Sequence, residues 1–320
     1  MRLAALFLAL LLLVPASAGA QVPTGVTGIS ITLNPTRPRP YDTVTISVAS
    51  TLINLPASLI TITVDGVEVG EGDRTATIRM GGPGTSRTIR ATAEFDGQTY
   101  TAQRVITPAE VALIMEADST AHPFYDGAKL VPSKGGVRFV AVPDFRTAPG
   151  TRIPASELVY TWKLGDKTLS EQSGIGRSVL VATAPVRYRD AEVSVTVATR
   201  SGSLTAQDSV TVSPIDPFVR IYRDDPLSGT WFTRALSGTF ALPGAEETFT
   251  AVPYFFAKQP SFEWVLNGVP SGSGKDVTVR SSGGAGTAVL GISAQHAETQ
   301  GAASLSLRFG EERGVGIFGL

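Results

Sequence analysis

The sequence predicts an all-β protein made of three β-sandwiches in tandem. Short apolar–polar alternations bounded by Gly, Pro, Ser and Asp fill the chain after its first twenty residues. Two stretches of sandwich size, 109–214 and 215–320, repeat one another, and the 320-residue length leaves room for a third unit before them.

The strands follow in order. Thr43–Ala49 places Val44, Ile46 and Val48 on one face and hydroxyl side chains on the other. Leu59–Val64 and Val67–Val69 flank Asp65-Gly66, and Thr88–Phe95 and Gln98–Thr107 flank Asp96-Gly97. Asp-Gly accepts the positive φ of a two-residue hairpin turn, so both pairs predict hairpins. Ala109–Ala117 has helical propensity, but its alternation favours a strand. Arg138–Val142, Leu158–Leu164, Glu192–Thr199, Leu204–Val212, Thr248–Val252, Phe262–Leu266, Val277–Arg280, Ala288–Ser293 and Ser304–Phe309 complete the expected set. Asn34-Pro35-Thr36-Arg37-Pro38-Arg39-Pro40 reads as an extended, proline-stiffened lead into the first sandwich.

The repeat aligns 113–130 with 219–236 without a gap, then 141–145 with 251–255 and 160–165 with 262–267. The last pair of segments sets Trp162 against Trp264 in mid-strand, the first between Thr161 and Lys163 and the second after Glu263. Both tryptophans are therefore expected in the structural core. The expected division is a signal peptide over 1–20, a divergent sandwich over 21–108, and sister sandwiches over 109–214 and 215–320.

At these tryptophan strands the sequence resembles the immunoglobulin-like and PKD-like modules of bacterial surface proteins. Those modules set a tryptophan shortly before a turn of the form W-x-x-G-D-G or W-x-x-N-G. Trp162-Lys163-Leu164-Gly165-Asp166-Lys167 follows the first form except at Lys167, and Trp264-Val265-Leu266-Asn267-Gly268 follows the second. The resemblance implies an immunoglobulin-like β-sandwich in each unit and a role as spacer, adhesion unit or binding accessory. It covers about 200 residues and says more of architecture than of activity.

Composition narrows the function. With 42% apolar and 17% charged residues the chain has material for real cores and is not a disordered solvating chain. A formal charge of −1 argues against nucleic acid as a partner. No cysteine is present, which removes disulfides, thiol catalysis and zinc–thiolate sites. Arg2, the apolar run Leu3–Val14 and the small residues Ala16-Ser17-Ala18-Gly19-Ala20 read as a signal peptide, with A-x-A cleavage sites after Ala18 and after Ala20, the second favoured and leaving Gln21 first. No later stretch is long enough to span a membrane as a helix, and none of Asn34, Asn54 and Asn267 sits in a usable glycosylation sequon. Export from a bacterial cell is the expectation, to the surface, the medium or the periplasm.

No catalytic or cofactor-binding constellation is expected, and the chain is read as a non-enzyme. His122 and His296, the two histidines, fall in different units and are expected in exposed turns. Glu116, Asp118 and Asp126 near the start of the second unit, and Asp216, Asp224 and Asp225 near the start of the third, are candidate calcium ligands at the domain junctions. Asp residues also open turns by bonding their own backbone, and no D-x-[DN]-x-[DN]-G loop occurs. The aromatic groups Phe124-Tyr125, Trp231-Phe232 and Tyr254-Phe255-Phe256 could form a binding platform or pack a domain joint. Trp231 and Phe256 are the binding candidates, with Phe256 expected to be exposed. The functional expectation is an envelope or surface module that binds a protein or a glycan through tandem immunoglobulin-like domains. The alternatives are a soluble periplasmic accessory or assembly factor with a protein client, and a carbohydrate-binding module.

Overall fold

The computed structural model describes residues 28–148 and 150–310. The expected signal peptide lies outside them. Strands and turns make up nearly all of this chain, with two single-turn 3₁₀ helices at Leu55–Ala57 and Ala155–Glu157 and no α-helix among the described residues. No described helix is long and apolar enough to cross a membrane. The chain forms two compact units. Described residues 28–36, 43–79 and 87–106 belong to the first, and 37–42, 80–86 and 107–310 to the second.

The first unit carries β1 (Ser30–Asn34), β2 (Thr43–Ala49), β3 (Leu59–Val64), β4 (Val67–Glu71), β5 (Thr75–Arg79), β6 (Arg87–Phe95) and β7 (Gln98–Ile106). One sheet runs β1-β2-β5 and the other β4-β3-β6-β7. Val44, Ile46 and Val48 from the first sheet are buried, as are Ile60, Ile62, Ile89, Ala91 and Ala93 from the second. Both Asp-Gly hairpins form: Asp65-Gly66 and Asp96-Gly97 all have positive φ, between 49° and 83°. Asp65 also accepts hydrogen bonds from the Arg87 guanidinium and the Thr88 amide, both at 2.8 Å. Those donors hold its carboxyl below the ordinary carboxylate value.

The second unit contains two sandwiches, here the second and third. The second has β8 (Glu110–Asp118), β9 (Gly136–Asp144), β10 (Val159–Leu164), β11 (Lys167–Thr168), β12 (Gly174–Ile175), β13 (Val179–Thr183), β14 (Ala191–Ala198) and β15 (Thr205–Val212). Its sheets run β13-β9-β8 and β11-β10-β14-β15, with β12 also on β10. The third has β16 (Phe218–Asp225), β17 (Gly229–Thr230), β18 (Thr239–Ala241), β19 (Glu246–Tyr254), β20 (Ser261–Leu266), β21 (Val269–Ser273), β22 (Asp276–Arg280), β23 (Gly286–His296) and β24 (Thr299–Phe309). Its sheets run β17-β16-β19-β22 and β18-β24-β23-β20-β21.

Trp162 and Trp264 occupy matching places. Each is fully buried, faces a β-branched partner in register (Val195 or Ile292), and donates its indole N–H to a loop carbonyl. The acceptors are Arg177 O at 2.8 Å and Gly274 O at 3.1 Å. Around each lies one core fed by both sheets, with Phe139, Phe145 and Tyr160 in the second and Phe249, Phe256 and Leu290 in the third.

The pairings correct the repeat alignment. Val111 pairs with Pro143 and Val219 with Pro253, so Val111, not Leu113, is the counterpart of Val219. The ungapped match was slipped by two residues. A shift of two preserves which side chains face inward, so the alternation fits both registers equally well.

Candidate functional site: the joint between the second and third sandwiches

Inward-facing strand residues account for the two cores, and a separate apolar cluster lies between them. Tyr222, Val252, Tyr254 and Phe255 are buried there, with Ala121, Ile215, Phe218, Phe232 and Ala235 packed against them. Ala121 comes from the loop after β8, and the rest come from the connection and the third sandwich. The loop is fastened through its backbone. Thr120 N–H donates to Phe256 O at 2.7 Å, and Phe255 N–H donates to Thr120 O at 2.6 Å. On the connection, Ser133 N–H donates to Ile215 O and Ile215 N–H to Val131 O, at 2.8 and 3.0 Å.

Rings fill the space between these bonds. His122, Phe124 and Phe232 form a three-ring group with centroids 4.0 to 5.2 Å apart. Tyr125 meets Tyr254 and Phe255 edge-on, at 6.0 and 5.3 Å. Tyr222 and Tyr254 share a buried hydroxyl–hydroxyl hydrogen bond of 2.8 Å. Burial, and then the Tyr222 hydroxyl, raise the Tyr254 phenol well above its ordinary value, so Tyr254 stays neutral at any physiological pH.

Two exposed ion pairs flank the cluster, Arg187–Asp216 and Lys134–Glu298. Exposed pairs of this kind contribute about 0–1 kcal/mol each. Full burial of one large apolar side chain contributes about 1.5–3 kcal/mol. The apolar cluster and its backbone bonds therefore hold the joint, and the ion pairs trim it. Four non-glycine residues take positive φ near it: Lys134 (58°), Tyr188 (66°) and Ala297 (50°) in turns, and Phe255 (62°) just after β19. Such conformations persist where surrounding contacts over-determine them.

The structure places the expected site residues as follows. Phe256 is not exposed. It is fully buried in the third core, because Phe255 at positive φ turns the chain so that the two adjacent rings enter different clusters. Trp231 stands 49% exposed, with its indole N–H on Ser228 Oγ at 2.9 Å and the Arg223 guanidinium 4.9 Å from its ring. Arg223 is itself gripped at both nitrogens by the buried Glu247, at 2.6 and 3.2 Å. His122 is not a free turn residue but a member of the joint, half-buried, and Phe124 N–H donates to its Nδ1 at 3.3 Å. His296 ends β23, half-buried.

The six calcium candidates are not drawn together. Glu116 pairs with Arg138, Asp216 with Arg187, Asp224 accepts from Thr230, and Asp225 caps the amides of Leu227 and Ser228. Asp118 and Asp126 are exposed. Among the described residues no three acidic or histidine side chains group as a metal site would require. Glu116 and Asp216 thus have ion-pair partners, and Asp224 and Asp225 have turn partners.

No protein-family model matches the chain, and no curated protein matches it in sequence. Solved structures that align with it are tandem arrays. The three N-terminal domains of the Highly Immunogenic Outer Capsid protein of bacteriophage RB49 align at 15% identity over 89% of this chain and 100% of that one, with a TM-score of 0.27. Immunoglobulin domains 1–5 of Sidekick-1 align at 11% identity over 88% and 59%, with a TM-score of 0.30. The central fibronectin-III array of RIM-binding protein aligns at 13% identity over 90% and 98%, with a TM-score of 0.28. TM-scores this low describe no common arrangement of domains, and the partners of those proteins are no guide to this chain. The fold class rests on the chain's own strand pairing: it is a tandem of immunoglobulin-like β-sandwiches.

Proposed function

We propose that this chain is a non-catalytic structural and binding module, exported from a bacterial cell and working at its envelope or surface. In this reading residues 1–20 are a signal peptide, and 109–214 and 215–320 are sister domains after a divergent first one. The observation that carries the reading is the apolar, hydrogen-bonded joint. Sandwiches on a flexible linker are mobile relative to one another by default. A buried cluster that welds two of them makes a stiff spacer, which suits a part that must hold a surface at a set place. Trp231 is the proposed contact for a protein or glycan partner. Its ring is half-exposed and braced through Arg223 by a buried carboxylate, so little ordering is lost on binding.

A periplasmic accessory that receives a client strand is the second reading. It is favoured by β21, an edge strand of the five-stranded sheet whose every residue is exposed. Protease shaving of intact native cells, followed by immunoblotting of cells, periplasm and medium, separates the two. Loss of the cell-associated band on shaving supports the surface module. A protected band in the soluble periplasmic fraction contradicts it and favours the accessory.

A further inference from the structure

We propose that the joint between the second and third sandwiches is an acid-sensitive hinge, released when His122 takes up a proton. His122 is the imidazole within the ring group of the joint, where the second sandwich's loop meets the third, while His296 lies at the rim of the same meeting place beside Lys134 and Glu298. The His122 Nδ1 accepts the Phe124 amide, so in the neutral ring the proton is on Nε2. A second proton must go to Nδ1. That converts the acceptor into a donor facing another donor, and the Phe124 N–H loses its partner. The loop segment 120–125 is thereby unseated at the rings that dock on Phe232, Tyr254 and Phe255.

The surroundings oppose the charge. The imidazole is held below its ordinary value, first by burial and then by the positive charge of Lys275 on the turn before β22. Lys275 lies 3.9 Å from Asp276, whose other oxygen accepts from Thr250, so the carboxylate is engaged there. The Tyr222 ring lies 5.6 Å from Phe232, and its hydroxyl is bonded to that of Tyr254. No carboxylate pairs with His122 among the described residues. The phenyl faces of Phe124 and Phe232 would attract an imidazolium. Against it stand the Phe124 N–H aimed at Nδ1, the burial of the ring and the Lys275 charge. A group favoured in its neutral form by folding contributes fully above its unfolded pKa, about 6.5, and its contribution is lost as pH falls through the lower folded value. Opening is thus expected on the acid side of 6.5, where most carboxylates are still ionised.

The absence of cysteine makes the test direct. Lys167→Cys and Ser282→Cys place one exposed nitroxide on each sandwich of the full chain. The expected distance distribution is single and narrow at pH 7.5 and at least twice as wide at pH 5.0. With His122→Gln added, which keeps an acceptor but cannot titrate, it stays narrow at both. An unchanged width in the parent chain at pH 5.0 overturns the proposal, as does equal broadening in the His122→Gln chain. Should that variant fold poorly, NMR of His296→Gln, which leaves His122 as the single imidazole, gives an independent check. Its midpoint must lie below 6.5 and coincide with the broadening, and a midpoint at or above 6.5 overturns the hinge.

Discussion

Ile114, Val140 and Val179 lie side by side across β8, β9 and β13 on the outward face of the second sandwich. Their counterparts across β16, β19 and β22 of the third are Tyr222, Thr250 and Asp276. The first row is open to solvent at both ends, with Ile114 47% and Val179 46% exposed. In the second row Tyr222 is buried by the joint, and Thr250 is buried and donates to Asp276. The inward rows, by contrast, serve both copies alike, down to the tryptophan indole bonded to a loop carbonyl. The interior of a sandwich is set by close packing and tolerates little change. The exterior is free to diverge, and here it has diverged into a joint on one copy and an open apolar face on the other.

The largest effects should come from the shared interior. Trp162→Ala or Trp264→Ala should each cost about 3–5 kcal/mol, read from the denaturant midpoint of the full chain. A midpoint that barely moves for one of them would break the equivalence of the two cores. Next comes the joint. Phe255→Ala should cost about 2–4 kcal/mol and split the melting of the second and third sandwiches into two calorimetric transitions. If a single transition survives, the cluster does not couple them.

Glu247→Gln, at the end of the third sandwich only, should cost about 1–2 kcal/mol, because Arg223 keeps partial access to water. It should also loosen the guanidinium that faces Trp231, visible as a shift in its emission maximum. In the first unit, Asp65→Asn should remove part of the acid sensitivity of folding. A depressed carboxyl pKa stabilises above about 3.9 and stops doing so as pH falls through the lower folded value, so the variant's loss fades on the acid side of 3.9. Arg87 and Asp65 are both more than a third exposed, which keeps the effect under about 1 kcal/mol. Smallest of all, Val181→Thr should change stability by no more than about 0.5 kcal/mol. It gives the second copy the threonine that its sister carries at Thr278, at a side chain 68% exposed.

The interior was legible in the sequence for the same reason that it is shared. Alternation marks the buried face of each strand, Asp-Gly marks the two hairpins of the first sandwich, and a mid-strand tryptophan marks the centre of a sheet. The two-residue slip in the repeat shows the limit of that signal, since a period of two cannot distinguish registers two apart. The joint was harder to read. Thr120 and Phe255 are joined only when two domains meet, and no local pattern records that contact. Phe256 was misplaced because a run of three aromatic residues reads as one patch. The positive φ of Phe255, which no glycine or asparagine announces, sends its members to different clusters. The aromatic pair Phe124-Tyr125 was the available clue, since both rings touch aromatics of the third sandwich even though Phe124 stays 68% and Tyr125 36% exposed.

The central claim is that the second and third sandwiches form one body at neutral pH. Residual dipolar couplings of the full chain test it most directly. The account predicts that a single alignment tensor fits the amides of β8–β15 and β16–β24 together. Two tensors of different magnitude, each fitting only its own sandwich, would contradict it.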